Sequence, residues 1–268
     1  MHITITGNLG SGKSTICKLL NEQYQFEVYS TGKVQREIAR EMNMTTLELN
    51  QLMCSDHKYD TMIDDATARI SRENREKDII FDSRLAWHFV EHSFKVFVTV
   101  SLDVAANRVM QDQRGAEEKY SSFDEAKKLL AERAATEKRR YKDIYDLDYL
   151  DFSNYNLVID STYCSADKIA EMIIVEAKAF EENPYTGTKM LMTPERLLQL
   201  EEMKEDDQTR LQELITSMKD GSDMIDTTVI VRNSEDGYQV EEGLDLVKAA
   251  FLAKIPYVPV KVVKSIED

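Results

Sequence analysis

Short runs of apolar, mostly β-branched or aromatic residues recur over the first 160 positions, at 3–6, 26–29, 79–81, 96–100 and 157–159. Runs that are apolar without alternation suit strands covered on both faces. Between them the apolar positions step by four, as in Val34, Ile38 and Met42, and again in Met62, Ala66 and Ile70. After Asp124 the residues Ala126, Leu129, Leu130 and Arg133 continue a helical pattern. Alternating strand and helix predict an α/β fold, a five-stranded parallel sheet flanked by helices with right-handed crossovers. Ligands bind such sheets at the carboxyl ends of the strands, where the loops after Thr6, Tyr29, Phe81 and Val100 converge.

Beyond Ser161 the pattern changes. Residues 169–180 read as a closing helix and 181–187 as a linker. Thr193-Pro194-Glu195 then gives an N-cap followed by proline at the first helical position. Two helical stretches end near Gly221. They are followed by a strand (227–232), a turn at Asp236-Gly237, a strand (238–241), a helix (244–254) and a strand (258–263). Residues 1–182 are therefore expected to form one domain and 184–268 a second, small α+β unit.

Composition narrows the setting. With 42% hydrophobic and 31% charged residues, the 268-residue chain can bury a core and stay soluble. No apolar run approaches a membrane span, and the first strand begins at once, leaving no room for a leader. Cys17, Cys54 and Cys164 are far apart and form no metal spacing, so they read as reduced thiols of a cytoplasmic protein. A net charge of −15 argues against a nucleic-acid partner. Within that acidic chain, residues 108–142 carry ten basic side chains against seven acidic ones. This local excess predicts a clamp for phosphate, a lid over about 108–142.

The chemistry such a clamp would serve is written near the start. Gly7-Asn8-Leu9-Gly10-Ser11-Gly12-Lys13-Ser14, followed by Thr15, is a phosphate-binding loop pattern between a predicted strand and a predicted helix. Its backbone N–H groups would wrap a polyphosphate at the positive end of a helix. Lys13 would reach the β- and γ-phosphates and the Ser14 hydroxyl would ligate Mg²⁺. ATP and Mg²⁺ are thus the expected cofactors.

Arginines placed at strand ends suggest what receives the phosphoryl group. Ser30-Thr31-Gly32 with Arg36 follows the second strand, and Asp82-Ser83-Arg84 follows the third. Arg108, Arg114, Arg133 and Arg140 lie in the basic stretch. A guanidinium presents a fork suited to phosphate oxygens and keeps its charge. Transfer between two polyanions needs mainly positioning, charge neutralisation and exclusion of water. These features predict a small-molecule kinase whose acceptor carries a phosphate. Asp56, Asp60 and Asp64 are candidate acceptors for a base amino group.

From residue 1 to about 162, the chain resembles the cytidylate kinase family of nucleoside monophosphate kinases. The loop 7–14, the Ser30-Thr31-Gly32 segment with Arg36, Asp60 and Asp64, Asp82-Ser83-Arg84, Arg108 and Arg114 carry the resemblance. So do Arg133, Thr136-Glu137, Arg140-Tyr141 and Tyr145-Asp146-Leu147-Asp148. It implies that Arg36 and Arg84 grip the acceptor phosphate, and that Arg114, Arg133 and Arg140 act on the transferring phosphoryl group. Asp82 would serve the acceptor or Mg²⁺. It further implies ATP-dependent transfer to a nucleoside monophosphate, with CMP or dCMP first. The alternatives are a kinase for another small acceptor, or a nucleotide-binding regulator that transfers poorly. The chain departs from the family at Ser83, where glycine is usual, and at Gly115 and Ala134, where glutamates are common. Residues 238–260 resemble the ParB/sulfiredoxin-like fold. Leu244-Asp245 stand where that family's nucleotide-handling members have a histidine or arginine. Residues 184–268 are therefore expected to be a regulatory, nucleotide-sensing or homodimerising appendage.

Overall fold

Strand β1 (His2–Gly7) is buried at every position, as a strand in the middle of a covered sheet must be. It pairs in parallel with β3 (Ile79–Asp82) on one side and with β4 (Ser93–Thr99) on the other. β2 (Glu27–Ser30) lies outside β3, and β5 (Leu157–Asp160) lies outside β4, both parallel. The five strands expected from the apolar runs are these five. Connections leave β1 in one direction for β2 and β3 and cross to the other side for β4. The two sides diverge next to β1, which is where open α/β sheets bind ligands.

A computed structural model describes residues 1–44, 48–49, 52–53, 58–111, 120–185, 187–198, 208–218, 222, 224–234 and 237–263. Arg114, Gly115, Asp56, Cys54 and Asp236 lie outside the described residues. Between the strands run α1 (Lys13–Tyr24), α2 (Thr31–Glu41), α3 (Lys58–Glu73), the short α4 (Ala86–Phe89), α5 (Leu102–Gln111) and α6 (Phe123–Tyr145). Helix α6 starts at an N-cap, Ser122, whose hydroxyl accepts from the Glu125 N–H at 3.2 Å. The Glu125 carboxylate returns to the N–H of Ser121, the residue before the N-cap, so the entry to the helix is held from both sides. The basic stretch read as a lid is thus, over its last twenty residues, part of one 23-residue helix.

The sheet does not stop at β5. Helix α7 (Ala166–Glu182) runs into the segment expected to be a linker. It is followed by β6 (Lys189–Met192), a strand not expected from the sequence. β6 pairs in parallel with β5. Beyond it come β9 (Val258–Val263), antiparallel to β6, then β7 (Val229–Ser234), parallel to β9, and β8 (Gly237–Glu242), antiparallel to β7. The described strands therefore make one nine-stranded sheet in the order β2-β3-β1-β4-β5-β6-β9-β7-β8. The expected five-stranded sheet is its first part, and residues 184–268 extend that sheet instead of forming one apart from it. Helices α8 (Pro194–Leu198), α9 (Gln208–Ser217) and α10 (Leu244–Leu252) complete the segment.

One apolar cluster gathers α1 and α7 on one face of the sheet, with Ile16, Leu20, Ile169 and Ile173 against Ile3, Val96 and Leu157. A second joins Trp87, Tyr141, Tyr149 and Tyr155 to Val158, Met190, Val229 and Val247. That second cluster runs without a break from the first 160 residues into the last 80. No helix among the described residues is long and apolar enough to cross a membrane.

Candidate active site

The loop between β1 and α1 is shaped by what crowds it. A Cβ on Gly7 would stand 2.3 Å from the Val98 carbonyl oxygen of β4, so no larger residue fits there. Gly10 has φ 74°, a left-handed conformation, and a Cβ on it would meet Ala105 at 2.9 Å. The loop is pinned from behind, because the Val100 N–H donates to Asn8 Oδ1 at 3.2 Å. The Asn8 side chain thus serves the loop's own anchoring.

A cleft of about 2040 Å³ opens in front of the loop, room enough for two nucleotide-sized ligands together. Leu9, Gly10, Ser11, Gly12, Lys13, Ser14 and Thr15 line one wall. Ser30, Gly32, Arg36, Asp82 and Arg84 line the next, and Asp60, Asp64, Arg133 and Arg140 the far side. Gly7 and Asn8 are not among the residues that line the cleft; the Gly7 carbonyl is an acceptor for the cations beside it. Lys13 Nζ donates to that carbonyl at 3.2 Å and to the Asn8 carbonyl at 3.3 Å, and Arg84 Nη1 donates to the Gly7 carbonyl too. Burial first, and the Arg84 guanidinium second, lower Lys13 to about 7. A cation so destabilised favours an arriving anion.

Glu137 sits among these cations. Its Oε2 accepts from Arg84 Nε at 2.8 Å and its Oε1 from Arg133 Nε at 3.2 Å. Burial alone would raise its carboxyl, yet the charges of Arg84 and Arg133 hold it below the usual range. Glu137 thus ties the guanidinium groups of Arg84 and Arg133 to one carboxylate, and Arg84 in turn reaches the loop. The sequence carries one sign of this, the i,i+4 spacing from Arg133 within α6, and such pairs are ordinary on exposed helix faces. Arg140, buried, lies 3.7 Å from Asp60 Oδ1, donates to the Tyr141 hydroxyl at 3.1 Å and lies over the Tyr141 ring. The Tyr145 hydroxyl donates to Asp64 Oδ2 at 2.6 Å. Burial raises Asp64 to about 6. Asp60 and Asp64, four apart on α3, share the face that α6 covers.

Arg36 is exposed, with its guanidinium folded back over Gly32, where a Cβ would lie 3.5 Å from Nη1. Ser30 Oγ donates to Asp82 Oδ2 at 3.0 Å, which fixes the carboxylate at the end of β3. Ser83 is buried; its carbonyl accepts from Thr6 Oγ1 at 2.9 Å. Arg108, counted with the basic stretch, turns to the wall instead: it donates to the carbonyls of Ser161 at 2.6 Å and Gly10 at 3.4 Å. A phosphate loop, a cation set opposite it and a carboxylate-lined recess between α3 and α6 suit two anionic ligands held end to end.

Residues 2–163 match the cytidylate kinase-like family. A cytidylate kinase of Methanococcoides burtonii is 36% identical over 173 residues, covering 65% of this chain and 94% of that protein. One of Methanosarcina mazei is 41% identical over 166 residues, covering 60% and 87%. An S-adenosylmethionine-dependent nucleotide dehydratase of Lacinutrix mariniflava is 32% identical over 173 residues, 64% of this chain but 35% of that protein. With the loop, the arginine set and the matched segment coinciding, the chain belongs to the cytidylate kinase-like family, among the nucleoside monophosphate kinases.

Proposed function

We propose that the protein transfers the γ-phosphoryl group of ATP to a nucleoside monophosphate, with CMP or dCMP the preferred acceptor. The observation that carries this reading is the convergence of Lys13, Arg36, Arg84, Arg133 and Arg140 on one cleft beside the loop. ATP lies with its phosphates along residues 7–15. The acceptor phosphate lies against Arg36 and Arg84, and its base enters the recess of Asp60 and Asp64. In that recess a carboxylate accepts from an exocyclic amino group, which cytosine carries and uracil lacks.

The reaction is an in-line displacement: the acceptor phosphate oxygen bonds to the γ-phosphorus as the bond to the β–γ bridging oxygen breaks. ADP leaves with that oxygen. Lys13, Arg84, Arg133 and Arg140 stabilise the charge spread over the moving phosphoryl oxygens. No protein nucleophile is needed. The Ser14 hydroxyl and the Asp82 carboxylate, both lining the cleft, are hard oxygen donors of the kind Mg²⁺ takes. Bound with ATP there, it would neutralise phosphate charge. In this reading the transfer chemistry lies within residues 1–182, which also supply all the described residues that line the cleft.

The test is ADP release with ATP, Mg²⁺ and a panel of CMP, dCMP, UMP and AMP. Turnover of about 1–100 s⁻¹ with CMP or dCMP, and far less with UMP, is the expected result. Stronger use of UMP or AMP would overturn the base assignment. Tight ATP binding without any acceptor-dependent turnover would instead point to a regulator.

A further inference from the structure

Behind the end of β5, at the cleft's edge, side chains from beyond the matched family segment close on a buried carboxylate. Asp160, the last residue of β5, has no exposed surface. Its Oδ1 accepts from Arg196 Nη1 at 2.6 Å, from Thr162 Oγ1 at 2.6 Å and from the Thr162 N–H at 3.1 Å. Its Oδ2 accepts from Thr193 Oγ1 at 2.5 Å and from the Thr193 N–H at 3.3 Å. The Tyr257 hydroxyl donates to the Asp160 carbonyl at 3.0 Å. Arg196 also reaches Thr99 Oγ1 at 3.3 Å, and its guanidinium lies over the Tyr238 ring at 5.3 Å. Residues 193–257 therefore hold the ends of β4 and β5 together by a buried ion pair and its hydrogen bonds.

The other side of the same turn faces the nucleotide loop. Arg108 donates to Ser161 Oγ at 3.2 Å, to the Ser161 carbonyl at 2.6 Å and to the Gly10 carbonyl at 3.4 Å. Thr162 Oγ1, while donating to Asp160, accepts from the Ser101 N–H at 3.1 Å. Ser101 follows Val100, whose N–H holds Asn8 of the loop. Two short chains of contacts thus run from the Asp160 carboxylate to the loop, one through Arg108 and one through Thr162 and Ser101.

We propose that Arg196 is a positioning residue for the triphosphate loop. By neutralising Asp160 it keeps Thr162 and Ser161 in place and leaves Arg108 to brace Gly10. The C-terminal segment thereby builds the donor side of the active site. The inference rests on reading residues 7–14 as the ATP site. Without Arg196 the buried Asp160 carboxyl loses the cation paired with it. Arg108 is the cation whose charge Asp160 already feels, since Asp160 offsets the lowering that burial imposes on it. Arg108 then turns toward Asp160 and away from Gly10, and the loop loses its brace. Arg36, Arg84 and the acceptor recess are untouched, so the defect is confined to the donor.

The experiment compares full-length wild type with Arg196→Met, Arg196→Lys and Tyr257→Phe, well below each melting temperature. It measures KM for ATP, KM for CMP, and Mg-ATP affinity by calorimetry. Arg196→Met is expected to raise the ATP KM and Kd about tenfold. It should leave the CMP KM within about twofold. Arg196→Lys should recover most of the loss, and Tyr257→Phe should show a smaller rise, about threefold. A fall in melting temperature with an unaltered ATP KM would make Arg196 a strut of the sheet only and end the proposal. If Arg196→Met fails to fold, Tyr257→Phe decides: an unchanged ATP KM and Kd in that variant overturns the proposal. A wild type that binds no ATP removes the reading beneath the inference. A wild type that turns over, with variants matching it, removes the inference alone.

Discussion

Single side chains in this cleft carry energies set by their burial. Lys13, lowered to about 7 by burial and by Arg84, is half neutral near pH 7 in the free protein and charged once a triphosphate sits beside it. Above pH 7, binding must therefore take up a proton, and affinity for ATP must fall as pH rises. At pH 8, calorimetry in two buffers of different ionisation enthalpy is expected to show uptake approaching one proton, ~10-fold weaker binding per pH unit being the limit. Zero uptake would contradict the assignment. Glu137 poses the converse case. Glu137→Gln leaves Arg84 buried without its counter-charge, which costs up to about 3 kcal/mol and lowers the melting temperature. Bound anion supplies the missing charge, so nucleotide should raise the variant's melting temperature more than it raises that of wild type. An equal shift in both proteins would show that Glu137 and the ligand do not share those arginines.

Elements differ in how plainly the residues announce them. β1, β3, β4 and β5 are buried at nearly every position because both faces are covered, and their Ile, Val and Phe residues, interleaved with Thr in β1, gave them away. The loop at 7–14 was legible because its shape depends on glycine at the places where β4 and α5 press on it. β6 was not legible. Lys189-Met190-Leu191-Met192 is four residues long, with no β-branched side chain and no alternation, and only its neighbours β5 and β9 make it a strand. The same holds for the contacts between distant elements. Arg84 with Glu137, Tyr145 with Asp64 and Arg196 with Asp160 pair residues 53, 81 and 36 positions apart, and no local pattern encodes them. Arg108 is a related case: its charge fits a phosphate clamp and it lines the cleft, while its partners, the Gly10 and Ser161 carbonyls and the Ser161 hydroxyl, are known only once the chain is folded. β6 also carries a prediction. Leu191 is fully buried against the cluster of α1 and α7, so Leu191→Ala should lower stability by about 2–5 kcal/mol through lost burial and a cavity. Urea unfolding would read this as a lower midpoint, and a shift below about 1 kcal/mol would mean that β6 hangs loosely on the sheet.

At the scale of the molecule, the question is whether the kinase fold stands without its C-terminal extension. The Methanococcoides burtonii relative is matched over 94% of its length by 65% of this chain, and the family segment ends at residue 163, so that protein has no room for a counterpart of residues 184–268. In the present chain the two parts have grown together. β5 gives one edge to β6, and Val158, Tyr149 and Tyr155 share an apolar cluster with Met190, Val229, Val247 and Ile255. The buried carboxylate of Asp160 takes its counter-charge from Arg196. Cutting after residue 183 would expose the β5 edge, uncover one side of that cluster and strand a buried charge. Each of these is destabilising, and an exposed apolar edge favours aggregation. The truncated chain is therefore expected to be poorly soluble, to melt well below the full-length protein and to use ATP badly. Light scattering, thermal melts and the ATP and CMP KM values of whatever remains soluble would read this directly. A fragment of residues 1–183 that melts cooperatively at the full-length temperature, with both KM values intact, would show that the C-terminal segment only leans on the kinase.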